Sequence, residues 1–255
     1  MRKIALAASL LALSLGCASR IEPPDLMILG DNGSLAPAAW AGVLSTYVDE
    51  KGAVDFRGLS ANAKGLEVWV RYVADTSPEN HPELFPTPQS RLAYYLNAYN
   101  ALAMYAVIHT GKPGSFEKVN ARSLCRATLE IGHRWMSLYE LEDRVIRPMG
   151  EPRVHFALNC MARGCPRLPR EPFEAARLEG QLDSQAREFF ADSRNVQVLT
   201  GRRVVRFSAI LQLHTGDFLK KSPSLIDYAN THRTEKIPAD FKVEFFPFDW
   251  TLNQK

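Results

Sequence analysis

Apolar positions recur at helical spacing through the first half of the chain and alternate in short runs through the second. Trp40, Val43, Leu44 and Tyr47 predict a helix over 37–47. Leu66, Trp69, Val70 and Val73 predict another over 59–74. The clearest pattern runs from Gln89 to Thr110, where Leu92, Tyr95, Leu96, Tyr99, Leu102, Ala103, Ala106 and Val107 form one stripe. Ser90 suits its N-cap and Gly111 its C-terminal stop. Asn97 and Asn100 lie beside that stripe, one turn apart. Asn is a mediocre interior helix residue, so the pair predicts either hydrogen bonds to a neighbouring loop or the lining of a site.

After residue 124 the pattern changes. Runs on either side of Gly132 predict a hairpin over 124–136, and Val196–Leu199 with Val204–Phe207 predict another. Ser137 and Glu140 have capping-box spacing for a helix ending near Pro148. A long helix is predicted over 172–191, short helices over 208–213, 216–220 and 223–229, and a last strand over 243–250. There is no βα alternation and no Gly-rich phosphate loop. The fold class is α+β, with a helical first half packed on an antiparallel sheet built from hairpins in the second. At the level of fold, that arrangement invites comparison with papain- and transglutaminase-like enzymes.

The densest chemistry lies between the halves. Val154, Phe156 and Leu158 alternate with His155, Ala157 and Asn159, which reads as a strand with His155 on its second face. Cys160 stands at its exit, and Gly164 and Pro166 bracket Cys165 in a loop. One reading is a disulfide between Cys160 and Cys165, whose separation across a turn suits a bridge. The other is a nucleophilic Cys160 with His155 as base. Five residues of strand span roughly 16 Å, so that pair meets only if the chain folds back. His214 or His232 are alternative bases, Asp249 or Glu142 the group that orients the base, and Arg163 and Arg167 the charges that favour a thiolate. His155, Cys160 and Cys165 lack the short ligand intervals of a zinc site, so neither a metal nor a cofactor is predicted.

The N-terminus changes the compartment. A basic Met1-Arg-Lys precedes an apolar run from Ile4 to Leu15, too short to span a bilayer as a mature helix. Leu13-Ser-Leu-Gly-Cys17 resembles a bacterial lipoprotein signal, cleaved before a cysteine that receives a lipid. Ala18 resembles the outer-membrane sorting pattern. The expected organisation is a signal peptide over 1–16, a tether over 17–35 and one domain over 36–255. The expected location is the outer membrane facing the periplasm, with secretion into the periplasm as the alternative. The expected partners are the membrane, through the lipid anchor, and a protein or small-molecule ligand. A net charge of +3, with its charges mixed along the chain, argues against nucleic acid. With Cys17 lipidated, three thiols remain, and Cys125 is either the odd one or a partner of the other two.

These pieces together resemble one family. Leu92-Ala-Tyr-Tyr-Leu-Asn-Ala-Tyr-Asn-Ala-Leu102 is similar to the asparagine-bearing helix of the domain of unknown function 547 family. Ser137-Leu-x-x-Leu-Glu-x-x-x-Ile-Arg147 is similar to its next helix, and His155-Phe-Ala-Leu-Asn-Cys160-x4-Cys165-Pro166 to its central signature. Gly216-Asp-Phe218 and Phe248-Asp-Trp-Thr-Leu-Asn253 match its C-terminal pieces. The resemblance implies no reaction. It marks Asn97, Asn100, Glu142, Arg147, His155, Cys160, Cys165, Asp249 and Asn253. Two readings follow: an envelope lipoprotein domain that binds a protein or small ligand, or a cysteine-dependent hydrolase or acyltransferase using Cys160.

Overall fold

The structure, a computed structural model, describes residues 19–26, 32–110 and 121–255. The expected signal peptide, Cys17 and part of the expected tether lie outside the described residues. Helices α1 (Asn32–Tyr47), α2 (Phe56–Ala61), α3 (Lys64–Asp75) and α4 (Pro88–Thr110) make the first half. The helix expected over 59–74 is two. Asp55 caps α2 by accepting from the Gly58 N–H, and the chain breaks at Asn62 before α3 begins.

α4 is the centre of the first core. Every residue from Leu92 to Val107 is buried, so the apolar stripe is only part of its covered surface. The positions between the stripe residues are largely Ala and Tyr. The alanines let α3 and its neighbours approach, and the tyrosines fill the gaps. Strands β1 (Thr128–Ile131) and β2 (Arg134–Ser137) form the expected hairpin. Its two turn residues, Gly132 and His133, both have positive φ (53° and 61°), the conformation that matches strand twist in a two-residue turn. Part of the expected tether is docked here: Ile21 N–H donates to Thr128 O and Thr128 N–H to Ser19 O, both at 3.0 Å. The Arg20 guanidinium lies 3.4 Å over the Trp135 ring.

α5 (Ala121–Leu124) ends just before Cys125. α6 (Leu138–Leu141) begins with the expected capping box of Ser137 and Glu140. The chain then widens into a π-helical turn over Glu142–Ile146 and tightens into a 3-10 turn over Arg147–Met149. That change of pitch sets where Glu142 and Arg147 point.

The strand expected at 154–158 is a 3-10 helix, Pro152–Phe156, followed by an irregular loop. Val154 and Ala157 face the first core, Phe156 faces the second, and His155 and Leu158 face a cleft between them. This is a period of three, the 3-10 repeat. Over so few residues it cannot be told from the period of two that marks a strand.

The second core is aromatic. Phe156 lies 4.5 Å from Phe189 and 5.1 Å from Phe190, centroid to centroid. α7 (Leu178–Ala191) starts later than the expected Pro172, because side chains capture the backbone ahead of it. Asn97 bonds both backbone groups of Phe173, and Gln181 bonds Pro172 O and Glu174 N–H. β3 (Val196–Leu199) pairs antiparallel with β4 (Val204–Phe207), as expected. β5 (Lys242–Phe245) pairs with β4 in parallel, so this sheet is mixed. The reason lies in the connection: α8 (Ala209–Leu213), α9 (Thr215–Leu219) and α10 (Leu225–His232) form a crossover that returns the chain in its original direction. The α+β class holds. β5 stops before Pro247. The remaining chain returns to the first core, where Leu252 bridges Ala162 and Gln254 bridges Val54. Among the described residues, no helix is long and apolar enough to cross a membrane.

Candidate functional site

A cavity of about 490 Å3 opens between the two cores, within the size range of small-molecule sites. Tyr99 of α4, Cys125, the π-helical turn with Glu142, the 152–166 segment, His214 and Trp250 wall it. Two clusters meet there.

The first is a set of three thiols. Cys125 and Cys160 are buried and Cys165 is half-buried; all three are free, and the bridge expected between Cys160 and Cys165 is not formed. Cys160 N–H donates to Cys165 Sγ at 3.1 Å. Hydrogen bonds from the Cys125 and Cys165 thiols hold the Cys160 thiol well below its usual pKa, outweighing its burial. The hydrogen bond to Cys160 and burial push Cys125 up, and burial with the same hydrogen-bonded partner pushes Cys165 up. Of the three, Cys160 is the one whose pKa is lowered. Of the arginines expected to favour a thiolate, Arg167 pairs with Glu188, and the Arg163 backbone N–H donates to Thr251 O.

The loop carrying these thiols is braced from several directions. Asn100 Oδ1 accepts from Asn159 N–H at 2.8 Å, and Asn100 Nδ2 donates to Ala157 O at 3.0 Å. Asn159 Nδ2 donates to Pro166 O, and Asn159 Oδ1 accepts from Met161 N–H, both at 2.7 Å. That bond holds Met161 at a φ of 64°, where a non-glycine residue is strained. The Asn253 N–H donates to Met161 O, while its side chain donates to Gly52 O at 2.7 Å. Asn97 reaches Trp40 and Phe173 instead. These asparagines tie helix to loop. Asp249 is exposed, and its carboxylate accepts from Thr251 N–H and Oγ1–H. Its backbone O accepts from Gly164 N–H at 2.8 Å, which again braces the cysteine loop.

The second cluster is ionic. His155 Nε2 lies 3.1 Å from Asp217 Oδ2, so Asp217 on α9 holds the ring, a role expected of Asp249 or Glu142. His155 Nδ1 and His214 Nε2 each stand 3.4 Å from Glu142 Oε1. The two rings stack at 3.8 Å with an interplanar angle of 17°. Burial works against the Glu142 carboxylate, but the neighbouring His155, with the charges of His214 and Arg147, outweighs it and lowers its pKa. Burial likewise opposes Asp217, yet hydrogen bonds from Arg147 (2.7 Å), Lys220 (3.0 Å) and His155 hold it well below the carboxylate range. Burial, then the neighbouring His155, pushes His214 down to about 4. Arg147 also pairs with Asp143. His232 stacks on Phe190 in the second core.

The cleft thus joins Glu142, Arg147, His155, Cys160 and Cys165 with His214 and Cys125. Sequence reasoning missed Asp217. It lies in Gly216-Asp-Phe218, but its partner His155 is 62 positions away, and only the α8–α9 elbow brings the two together. Comparison with curated proteins and with solved structures gives no match. Residues 85–190, from the start of α4's approach to the end of α7, match the model of the family described as "Protein of unknown function, DUF547".

Proposed function

We propose that the domain binds a small ligand in the cleft between its cores, in a protein held at the bacterial envelope by a lipid on Cys17. The observation that carries the binding is the cleft itself. It has the volume of a small-molecule site, and a few ionisable groups converge on it from a mostly apolar wall. The envelope location rests on the lipoprotein-like Leu13-Ser-Leu-Gly-Cys17. The test is protection of Cys160. Iodoacetamide labels the folded protein, mass spectrometry maps each thiol, and the rate is measured with and without a panel of small organic acids, amines and phosphate esters. A ligand of the cleft slows labelling of Cys160 and raises the melting temperature. A Cys160 that never labels in the folded state, with no compound raising the melting temperature, overturns the reading.

A second reading is acyl transfer or hydrolysis with Cys160 as nucleophile. The observation that favours it is the position of Cys160 in the wall of the cleft beside two further free thiols, as the one of the three whose pKa is lowered. It predicts that Cys160 alkylates faster than Cys125 and Cys165, with a pH midpoint below the ordinary thiol value of about 8.5. Equal or slower labelling of Cys160 removes this reading and leaves the first intact.

A further inference from the structure

Three metal-ligand atoms converge on one side of the cleft. Glu142 Oε1, His155 Nδ1 and His214 Nε2 all lie within 4.8 Å of one another. The carboxylate oxygen is 3.4 Å from each nitrogen, beyond the usual N–H···O range of about 2.7–3.2 Å. His155 Nδ1 has no hydrogen-bond partner, although its side chain is only 1% exposed. An unpartnered buried polar atom aimed at a carboxylate and a second imidazole calls for an explanation. A metal ion supplies one: ligands bound at about 2.0–2.1 Å with roughly tetrahedral angles stand about 3.4 Å apart.

We propose that Glu142, His155 and His214 bind one divalent transition-metal ion of the zinc class, with its remaining position open to the cleft. Two neutral imidazoles and one carboxylate form a ligand set that suits zinc and leaves room for an exchangeable ligand. The surroundings fit. The bond from His155 Nε2–H to Asp217 leaves the lone pair on Nδ1, facing the ion, and Arg147 and Lys220 fix Asp217 in turn. The near-parallel rings must splay to share an ion. His214, at 20% exposure beside the cleft, has more room to turn than His155. The inference does not depend on the ligand-binding reading. It does compete with the nucleophile reading, because a bound ion occupies the ring nitrogens that would serve Cys160 as base.

The thiols are the rival site, so the test separates nitrogen from sulfur ligation. The full chain, stripped of metal, is titrated with Co2+ and with Zn2+, following heat and absorption. The expected result is one ion per chain, with visible ligand-field bands and no sulfur-to-cobalt charge-transfer absorption. Binding is retained in Cys160→Ala and Cys125→Ala. It weakens by at least about 100-fold in His214→Gln and Glu142→Gln, and by about 10–100-fold in Asp217→Asn. Circular dichroism checks that each variant folds. X-ray absorption on the unaltered protein gives an answer that needs no variant: imidazole and oxygen scattering supports the site. Sulfur scattering, binding that survives both His214→Gln and Glu142→Gln, or no saturable binding of either ion overturns it.

Discussion

Asn97 Oδ1 accepts from Trp40 Nε1 at 3.1 Å and from Phe173 N–H at 3.0 Å, and Nδ2 donates to Phe173 O at 2.8 Å. Leucine has nearly the same shape but strands an indole N–H and both backbone groups of Phe173. Each stranded buried group costs about 1–3 kcal/mol. Asn97→Leu is therefore expected to lower stability by about 3 kcal/mol in urea melts, with an unchanged denaturant slope. Asn97 does not wall the cleft, so the labelling rate of Cys160 should stay as it is. A large change in that rate would mean that Asn97 shapes the cleft after all. Here the sequence showed that a buried-face asparagine needs partners. It could not name Trp40 and Phe173, which stand 57 and 76 positions away.

The 152–166 segment joins both cores, and Arg153 pins its 3-10 turn to α7. Its guanidinium, 16% exposed, reaches Glu151, Glu179 and Asp183 at 2.6–2.8 Å. Burial opposes the Glu151 charge, but the hydrogen bonds from Arg153 outweigh it, so its pKa is lower folded than unfolded. The folded state then binds fewer protons. The stability this contributes is present above the usual carboxylate value near 4.5 and is lost as pH falls through and below it. Arg153→Met should cost about 2 kcal/mol at pH 7 and clearly less at pH 3, read from urea melts at both. A loss independent of pH would assign the role of Arg153 to packing alone. In the loop that follows, Gly164 serves close approach. A Cβ there would stand 2.8 Å from Asp249 N and 3.0 Å from Asp249 O. Gly164→Ala should push the C-terminal segment off the cysteine loop, lower stability by about 1–3 kcal/mol and speed labelling of Cys165.

At the scale of the molecule, Phe248 is packed against both cores at the edge of the cleft. Trp40 and Trp69 lie in the first core, and among the described residues the second contains no tryptophan. Tryptophan fluorescence therefore reports the first core, while circular dichroism reports both. The two unfolding curves should coincide in the unaltered protein. In Phe248→Ala they should separate, with a loss of about 2 kcal/mol for the core monitored less by fluorescence. Coincident curves in the variant would show that other contacts, such as those of Phe156, couple the halves.

Much of this was legible along the chain. The long helix, both hairpins, the Ser137 capping box and the α+β class follow from local periodicity and turn chemistry, which act over a few residues. The placement of Cys160 and Cys165 on one short loop was legible for the same reason. The 3-10 turn at His155 was not, because periods of two and three coincide over so short a run. Nor was the parallel docking of β5, which depends on how three short helices pack. The His155–Asp217 and Glu142–His214 contacts, and the third thiol at Cys125, come from segments far apart in sequence. No local pattern encodes their distance. Only the packing of two cores against one segment brings them to a single cleft.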